Sequence, residues 1–152
     1  MPDPAIAPLE AHLGYWLRYV SNHVSYAFSR KLAARGVTVA EWVVLCELYQ
    51  RDDTVPSELA ARLGMTRGAI SKLADRLAAK ALARQTQSGA DRRFQALALT
   101  PQGRALVPEL AALADRNDAE FFGHLRPAER KAIEAALRGI VRRHALRTVP
   151  AD

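Results

Sequence analysis

The 152-residue chain lacks the features that mark several common classes of protein. It has a single cysteine, Cys46, so no disulfide can form within the chain. No apolar run approaches the roughly 20 residues that a membrane span requires. The N-terminal sequence MPDPAIAPLE lacks the basic flank and apolar core of a secretory signal. These absences favour a cytoplasmic protein.

Motifs for catalysis and metal binding are also missing. The sequence has no glycine-rich phosphate loop, no HExxH motif and no recognisable nucleophile motif. His12 and His23 share a helix face but stand about 16 Å apart along a helix, which is too far for one ion. His124 and His144 lie on separate segments, which leaves open only a composite site across a dimer. We therefore expect no enzymatic activity, no metal and no cofactor.

Helix-forming residues dominate the chain, and the alternation typical of strands occurs only near residues 82–104. That segment, LARQTQSGADRRFQALALTPQGR, predicts a strand, a charged turn, a second strand and a capped helix start. Asp91, Arg92 and Arg93 stand at the turn. Two short helical patterns separated by a turn precede it. This order predicts a mainly α protein with a winged helix-turn-helix and a small β wing, an element that usually holds double-stranded DNA.

The positive charge of the chain is concentrated in the same segment. The net charge is +6, and residues 56–104 contain nine basic and three acidic residues, so the remainder is balanced. A merely soluble basic surface would not need this concentration, which instead suits a polyanionic partner. The nine basic residues are Arg62, Arg67, Lys72, Arg76, Lys80, Arg84, Arg92, Arg93 and Arg104.

The first helix is predicted from about Pro8 to Ala34, ending near Gly36, and it has two patterned faces. A helix with two patterned faces has contacts to make beyond its own domain. The apolar stripe consists of Leu13, Leu17, Val20, Val24, Phe28 and Leu32. The aromatic and polar stripe consists of His12, Tyr15, Tyr19, His23, Tyr26 and Arg30.

Capping residues predict where the other helices begin. Thr38 and Glu41 form a capping box for a second helix that reaches about Gln50. Pro56 suits the first position of a third helix, which ends at Gly64, and Thr66 can cap a fourth. Two further helices follow the wing. One begins at Thr100-Pro101 and reaches roughly Phe121; the other runs from about Pro127 to His144, with Arg126 where Ser or Thr is usual, so we expect its start to be slightly displaced.

The helices from the two ends of the chain have apolar faces that the central segment does not cover. A second copy of the chain is the simplest cover for these faces. We therefore predict helical dimerisation regions at residues 8–36 and 100–146. Between them, residues 37–99 form a winged helix-turn-helix DNA-binding lobe. Residues 1–7 and 147–152 are predicted to be flexible ends.

The chain resembles the MarR (multiple antibiotic resistance regulator) family. The resemblance rests on DRRFQALALTPQGRAL behind a helix-turn-helix, and on VTVAEWVVLCEL, SELAARLGMTRGAISKLADRLAAKAL and LRPAERKAIEAAL. Together these stretches cover about residues 10–146. The resemblance implies a homodimer with interdigitated chain ends, whose two lobes hold a pseudo-palindromic operator. It also implies a small aromatic acid as effector, bound between the dimerisation helices and the lobe.

Two sets of residues are candidates for DNA contact. Thr66 and the free amides of the first helical turn suit a phosphate or a base edge, and Gly68 permits close approach. Arg67, Ser71 and Lys72 can reach bases in the major groove, whereas Arg76 is better placed for a phosphate. The recognition-helix candidates are Thr66, Arg67, Gly68, Ser71, Lys72 and Arg76. The wing candidates are Asp91, which fixes the turn or simply forms it, and Arg92 and Arg93, one of which would enter the minor groove.

Aromatic residues near the expected crevice are candidates for effector binding. Arg18 could pair with a carboxylate, although all of these residues can equally be core or dimer contacts. The effector candidates are His12, Tyr15, Trp16, Arg18, Tyr19 and Trp42. Cys46 lies in the apolar WVVLC with no basic neighbour in sequence to stabilise a thiolate, so it is interpreted as structural.

Three functions remain open. The first is a dimeric, ligand-responsive transcriptional regulator, which the aromatic stripe on the first helix favours. The second is a DNA-binding repressor or architectural protein without an effector. The third is a helical protein–protein adaptor, which the basic residues Arg67, Lys72, Arg76 and Arg93 argue against.

Overall fold

The computed structural model describes residues 5–51, 53–87 and 95–147. These residues form six α-helices and a two-stranded antiparallel sheet, which confirms a mainly α protein with a small β wing. The helices are α1 (Leu13–Ala33), α2 (Val39–Gln50), α3 (Pro56–Leu63), α4 (Arg67–Ala79), α5 (Pro101–Phe122) and α6 (Pro127–Arg143). The strands are β1 (Ala83–Gln87) and β2 (Gln95–Leu99), with Ala83 opposite Leu99.

Capping side chains fix the starts of α2, α4 and α5 as predicted from the sequence, and Pro56 occupies the first position of α3. The Glu41 N–H donates to Thr38 Oγ1 at 3.1 Å and the Thr38 N–H to Glu41 Oε1 at 3.2 Å, which completes the capping box. Thr66 and Thr100 cap α4 and α5 in the same way, each accepting from a backbone N–H three residues on. Gly64 ends α3 in the left-handed conformation at φ 64°.

The start of α1 differs from the prediction. The helix begins at Leu13 rather than near Pro8, because His12 has extended backbone (φ −104°, ψ 127°) that interrupts helical geometry. A separate 3-10 turn at Leu9–Ala11 precedes it. Trp16 Nε1 donates to the Glu10 carbonyl at 2.9 Å and so fixes this turn against the helix.

The expected displacement of α6 was wrong. The helix begins at Pro127, directly after Arg126. The Arg126 N–H and its Nε both donate to Glu129 Oε1, at 3.0 and 2.9 Å. A carboxylate three residues into the helix therefore satisfies this end without a Ser or Thr cap.

Helices α2 to α4 and the two strands close around one apolar core; we call residues 37–99 the lobe. Leu45, Leu59, Ile70 and Leu77 are completely buried there. Thr54 extends the sheet, since its N–H and carbonyl bond to Leu97 at 3.0 and 2.8 Å. Helices α1 and α5 add Leu32, Val107 and Leu110 to the same core and so attach to the lobe.

Helices α1 and α5 are also joined to each other by polar contacts. Asn117 is buried; its Nδ2 donates to the Val24 carbonyl at 3.1 Å, and its Oδ1 accepts from Lys31 Nζ at 3.0 Å. Lys31 also pairs with Glu120 at 2.6 Å. Nearer the lobe, Arg35 pairs with Glu109 at 2.7 Å. The two helices are therefore held in register along much of their length.

Candidate nucleic-acid interface

Helix α4 has one buried face and one exposed polar face. Ile70, Leu73, Ala74 and Leu77 are buried against the lobe. At about 100° per residue, the opposite side is centred on Gly68, Lys72 and Asp75, with Arg67 and Arg76 at its two edges. All of the recognition-helix candidates named from the sequence are exposed: Thr66, Arg67, Gly68, Ser71, Lys72 and Arg76.

The basic residues divide into two groups that the charge count could not separate. Arg62 pairs with Glu58 at 3.0 Å, Lys80 pairs with Glu41 at 2.7 Å, and Arg104 lies over the Tyr49 ring at 5.3 Å. By contrast, Arg67, Lys72, Arg76 and Arg84 form no ion pair with any other residue that the structure describes. Within the described part of residues 56–104, the cations without an ion-pair or ring partner are therefore those of α4 and of β1.

Gly68 lies at the centre of this exposed face, and none of the described residues packs so closely that it requires glycine there. A Cβ built on it would have only Thr66 Oγ1 within 4 Å, at 4.0 Å. Because Gly68 has no side chain, the backbone of this turn of α4 is open to close approach by another molecule. Asp75 is the one acidic residue of α4 beside the three cations Arg67, Lys72 and Arg76, so the helix keeps a net positive charge that suits a polyanion.

The two strands lead toward the predicted wing tip. Gln87 pairs with Gln95 as the last pair of the ladder. The tip candidates Asp91, Arg92 and Arg93 lie outside the described residues. Arg84, which the sequence interpretation counted as basic but did not assign to the site, is exposed on β1. Its charge was the only signal in the sequence that could have added it.

The effector candidates fall into two groups in this chain. Tyr15 and Trp16 meet edge-on at a centroid distance of 5.2 Å, and Tyr19 lies 6.0 Å from Tyr15. Arg18 is exposed beside them, and His12 is exposed just before α1. Trp42 packs instead edge-on against Phe28 at 6.2 Å. Phe28 is about 13 Å further along α1 than Tyr19.

A wide apolar groove runs between α1 on one side and the end of α5 and the first half of α6 on the other. Its volume is about 640 Å³, and its walls include Leu17 and Val20 of α1, Phe122 of α5 and Leu137 of α6. Leu17 and Val20 keep 47% and 44% of their surface exposed, and Leu137 keeps 42%. Exposed aliphatic side chains of this size are typical of a surface that another polypeptide covers.

Cys46 and the histidines contribute no reactive centre among the described residues. Burial, followed by the nearby Glu47 carboxylate, raises the pKa of the Cys46 thiol to about 11, so it is protonated at neutral pH. Among the residues described, no three His, Cys, Asp or Glu side chains are grouped to hold a metal ion. No helix in the described part of the chain is long and apolar enough to cross a membrane.

A tri-helical lobe, an exposed basic helix behind a turn, and a two-stranded wing define a winged-helix DNA-binding protein. The MarR family model matches residues 35–93, the greater part of this lobe. Beyond the lobe, the chain is 28% identical over 135 residues to the HTH-type transcriptional regulator PrsX of Escherichia coli, covering 87% of this chain and 81% of that protein. The chain is therefore similar to the MarR family of transcriptional regulators.

Two further relatives extend the similarity through the terminal helices. The HTH-type transcriptional repressor NicR of Pseudomonas putida is 26% identical over 145 residues, covering 91% of this chain and 92% of that protein. The structure of Bordetella bronchiseptica BpsR, whose DNA binding is regulated by 6-hydroxynicotinic acid, superposes with a TM-score of 0.77 at 29% identity. That match covers 90% of this chain and 97% of BpsR.

Proposed function

We propose that the chain is a homodimeric repressor that holds a pseudo-palindromic operator with the outer face of α4 from each protomer. The observation that carries this proposal is that Arg67, Lys72 and Arg76 are exposed and form no ion pair within the described chain. DNA supplies their partners: Arg67 and Lys72 meet bases with Ser71, and Arg76 meets a phosphate. Thr66 and the first-turn amides bind a second phosphate.

The dimer forms through the apolar groove between α1, α5 and α6. A second copy presents the same groove, so a two-fold contact covers both surfaces at once. The two α4 helices then enter successive major grooves about one helical turn apart. The wing adds a contact beside each half-site: Asp91 fixes the tip, Arg92 or Arg93 enters the minor groove, and Arg84 meets the backbone. This role is binding without catalysis, carried out in the cytoplasm.

A small hydroxylated aromatic acid is the proposed effector. The relative BpsR is regulated by 6-hydroxynicotinic acid, which combines an aromatic ring, a hydroxyl group and a carboxylate. Here Tyr15, Trp16 and Tyr19 offer ring faces, and Arg18 offers a cation for the carboxylate. His12 lies at the same end of α1, and in a dimer Trp42 would complete the site from the lobe.

A second candidate is a repressor that needs no effector. The separation of Trp42 from the Tyr15 group favours it, because the six residues do not form one pocket within the described chain. Calorimetric titration with 6-hydroxynicotinic acid and with phenolic acids distinguishes the two. An effector that releases DNA must bind the DNA-incompetent arrangement more tightly than the competent one. Binding that leaves operator affinity unchanged, or no binding at millimolar concentration, favours the second candidate.

Selection of bound sequences from random duplex DNA tests the DNA-binding proposal. We expect a two-fold symmetric site and an affinity that falls steeply between low and physiological salt. Arg67→Ala should then lose about 1–3 kcal/mol of base discrimination at one position of the half-site. Arg76→Ala is the matched control and should weaken all sequences equally. A flat salt response, or no preference over random DNA, would contradict the proposal.

A further inference from the structure

The C-terminal end of α4 is bonded to the connection between α1 and α2. Lys80 Nζ donates to both carboxylate oxygens of Glu41, at 2.9 and 2.7 Å, and to the Gly36 carbonyl at 2.8 Å. Glu41 is completely buried and also accepts from the Thr38 N–H. A buried carboxylate requires such partners, so this contact is strongly determined.

The next two residues are bonded to the start of α5. Ala81 has φ 59°, a left-handed conformation that usually falls to glycine at a helix end. Thr100 Oγ1 donates to the Ala81 carbonyl at 2.7 Å, and the Thr100 N–H donates to the Leu82 carbonyl at 3.1 Å. A Cβ on Gly103 would lie 2.0 Å from the Leu82 carbonyl oxygen, so only glycine permits this approach of α5.

Both attachments lead to the same pair of helices. Gly36 follows α1, and Gly103 lies in the first turn of α5. These two helices are joined through Asn117, Lys31 and Arg35, as described above. A displacement of the α1–α5 pair relative to the lobe therefore acts on residues 80–82, directly after the end of α4.

We propose that residues 80–82, which we call the α4 anchor, set the orientation of α4 toward DNA. Lys80, Glu41 and Gly103 are then positioning residues that act through α4, since Glu41 and Gly103 are buried and cannot touch DNA. The inference rests on the proposed DNA-binding function. Because α4 is about 20 Å long, a tilt of about 5° at the anchor moves its first turn by nearly 2 Å. A displacement of that size separates a bidentate contact from its base.

Two variants test the anchor by independent routes. Gly103→Ala pushes α5 away from Leu82, and Gly139→Ala is its control, because a Cβ at Gly139 has nothing within 4 Å. The double variant Glu41→Gln/Lys80→Met removes the ion pair without leaving a charge buried alone. Arg126→Met/Glu129→Gln, which removes an exposed pair at the start of α6, is the control for the loss of one positive and one negative charge.

The measurement is the ratio of affinity for the selected operator to that for random duplex, together with the salt dependence of each and thermal unfolding. In folded Gly103→Ala and in the double variant, we expect the ratio to fall about tenfold while binding to random duplex and the salt slope stay unchanged. A salt slope reduced by about one in the double variant would show that Lys80 contacts a phosphate, and would overturn its assignment as a positioning residue.

An unchanged ratio in either folded variant would overturn the anchor proposal. Where Gly103→Ala is not folded at the assay temperature, the double variant decides. Failure of the proposed function would give a different result: the unaltered protein itself would bind the operator no more tightly than random duplex.

Discussion

The lobe and the terminal helices use apolar residues in opposite ways. In the lobe, Leu45, Leu59, Ile70 and Leu77 are completely buried. In α6, none of the described residues is buried, and Ile133, Leu137 and Ile140 keep 48%, 42% and 46% of their surface exposed. The lobe therefore completes its core within one chain, whereas α6 has an apolar face that no other described residue buries, as is typical of an interface.

This difference separates the requirements of folding from those of assembly. The outer face of the lobe is polar and cationic, so it suits DNA without being needed for the fold. The outer face of α6 is aliphatic, so it suits a second polypeptide. Substitutions in the lobe should consequently alter the free energy of unfolding, whereas substitutions in α6 should alter assembly. Four predictions test this difference.

Truncating a core residue of the lobe should have the largest effect. Leu77→Ala removes a completely buried side chain and should lower the free energy of unfolding by about 2–5 kcal/mol. Val39→Ala is the control in the same lobe, since Val39 is 39% exposed and its loss should stay within about 0.5 kcal/mol. Chemical denaturation measures both. If Leu77→Ala costs no more than Val39→Ala, the lobe does not have the closed core described here.

A charge on the apolar face of α6 should affect assembly instead. Leu137→Asp would bury a carboxylate in the dimer interface, and we expect the dissociation constant of the dimer to rise about hundredfold or more. Ala135→Asp, on the opposite side of α6, is the matched control and should leave it unchanged. Sedimentation at several protein concentrations gives the constant. A Leu137→Asp protein that remains as dimeric as the control would place the interface elsewhere.

The buried carboxylate of the lobe should make its stability depend on acid. Burial raises the pKa of Glu41, but hydrogen bonds from Lys80 and Thr38 outweigh burial and hold it below its ordinary value of 4.5. Since the folded pKa is the lower one, this stabilisation is present above pH 4.5 and is lost as the pH falls through the folded pKa. Between pH 6 and pH 3, the free energy of unfolding should fall less steeply with decreasing pH in Glu41→Gln than in the unaltered protein. Equal slopes would mean that the Glu41 pKa is not lowered by folding.

The last prediction concerns Cys46 and involves no change in folding or assembly. Its thiol pKa of about 11 lies two units above the ordinary 9.0, so the thiolate fraction at pH 7 is about a hundredfold lower. A thiol reagent should therefore modify the native protein about a hundred times more slowly than the denatured chain, which is the internal control. Comparable rates would show that this part of α2 opens easily and is not the rigid part of the lobe.

Signals that are local in sequence predicted most of the fold. Thr38, Thr66 and Thr100 cap the helices they precede, because their partners lie only three residues away. The start of α1 was missed because Trp16 bonds back to Glu10 and leaves His12 extended, a contact that periodicity does not reveal. Helix existence was therefore easier to predict than the conformation of a single boundary residue.

The candidate site was less accessible to sequence reasoning, because partners of charged side chains lie far away in sequence. Lys80 was counted with the DNA-facing charges, yet its carboxylate partner Glu41 is 39 residues earlier. The outward position of Arg67 and Lys72 followed from helical periodicity alone, since the buried residues of α4 fix the opposite face. The wing residues Asp91, Arg92 and Arg93 and the dimer contacts stay predictions.

The two tryptophans of the chain lie one in each of the contrasted regions. Trp16 is 48% exposed at the start of α1, whereas Trp42 is half-buried against Phe28 in the lobe. The chain thus contains two fluorescent reporters, and within a single chain the Trp16 ring is more exposed to solvent than the Trp42 ring. Trp16→Phe and Trp42→Phe variants would each leave one emitter, so subunit exchange and unfolding of the lobe could be followed in separate signals without any added label.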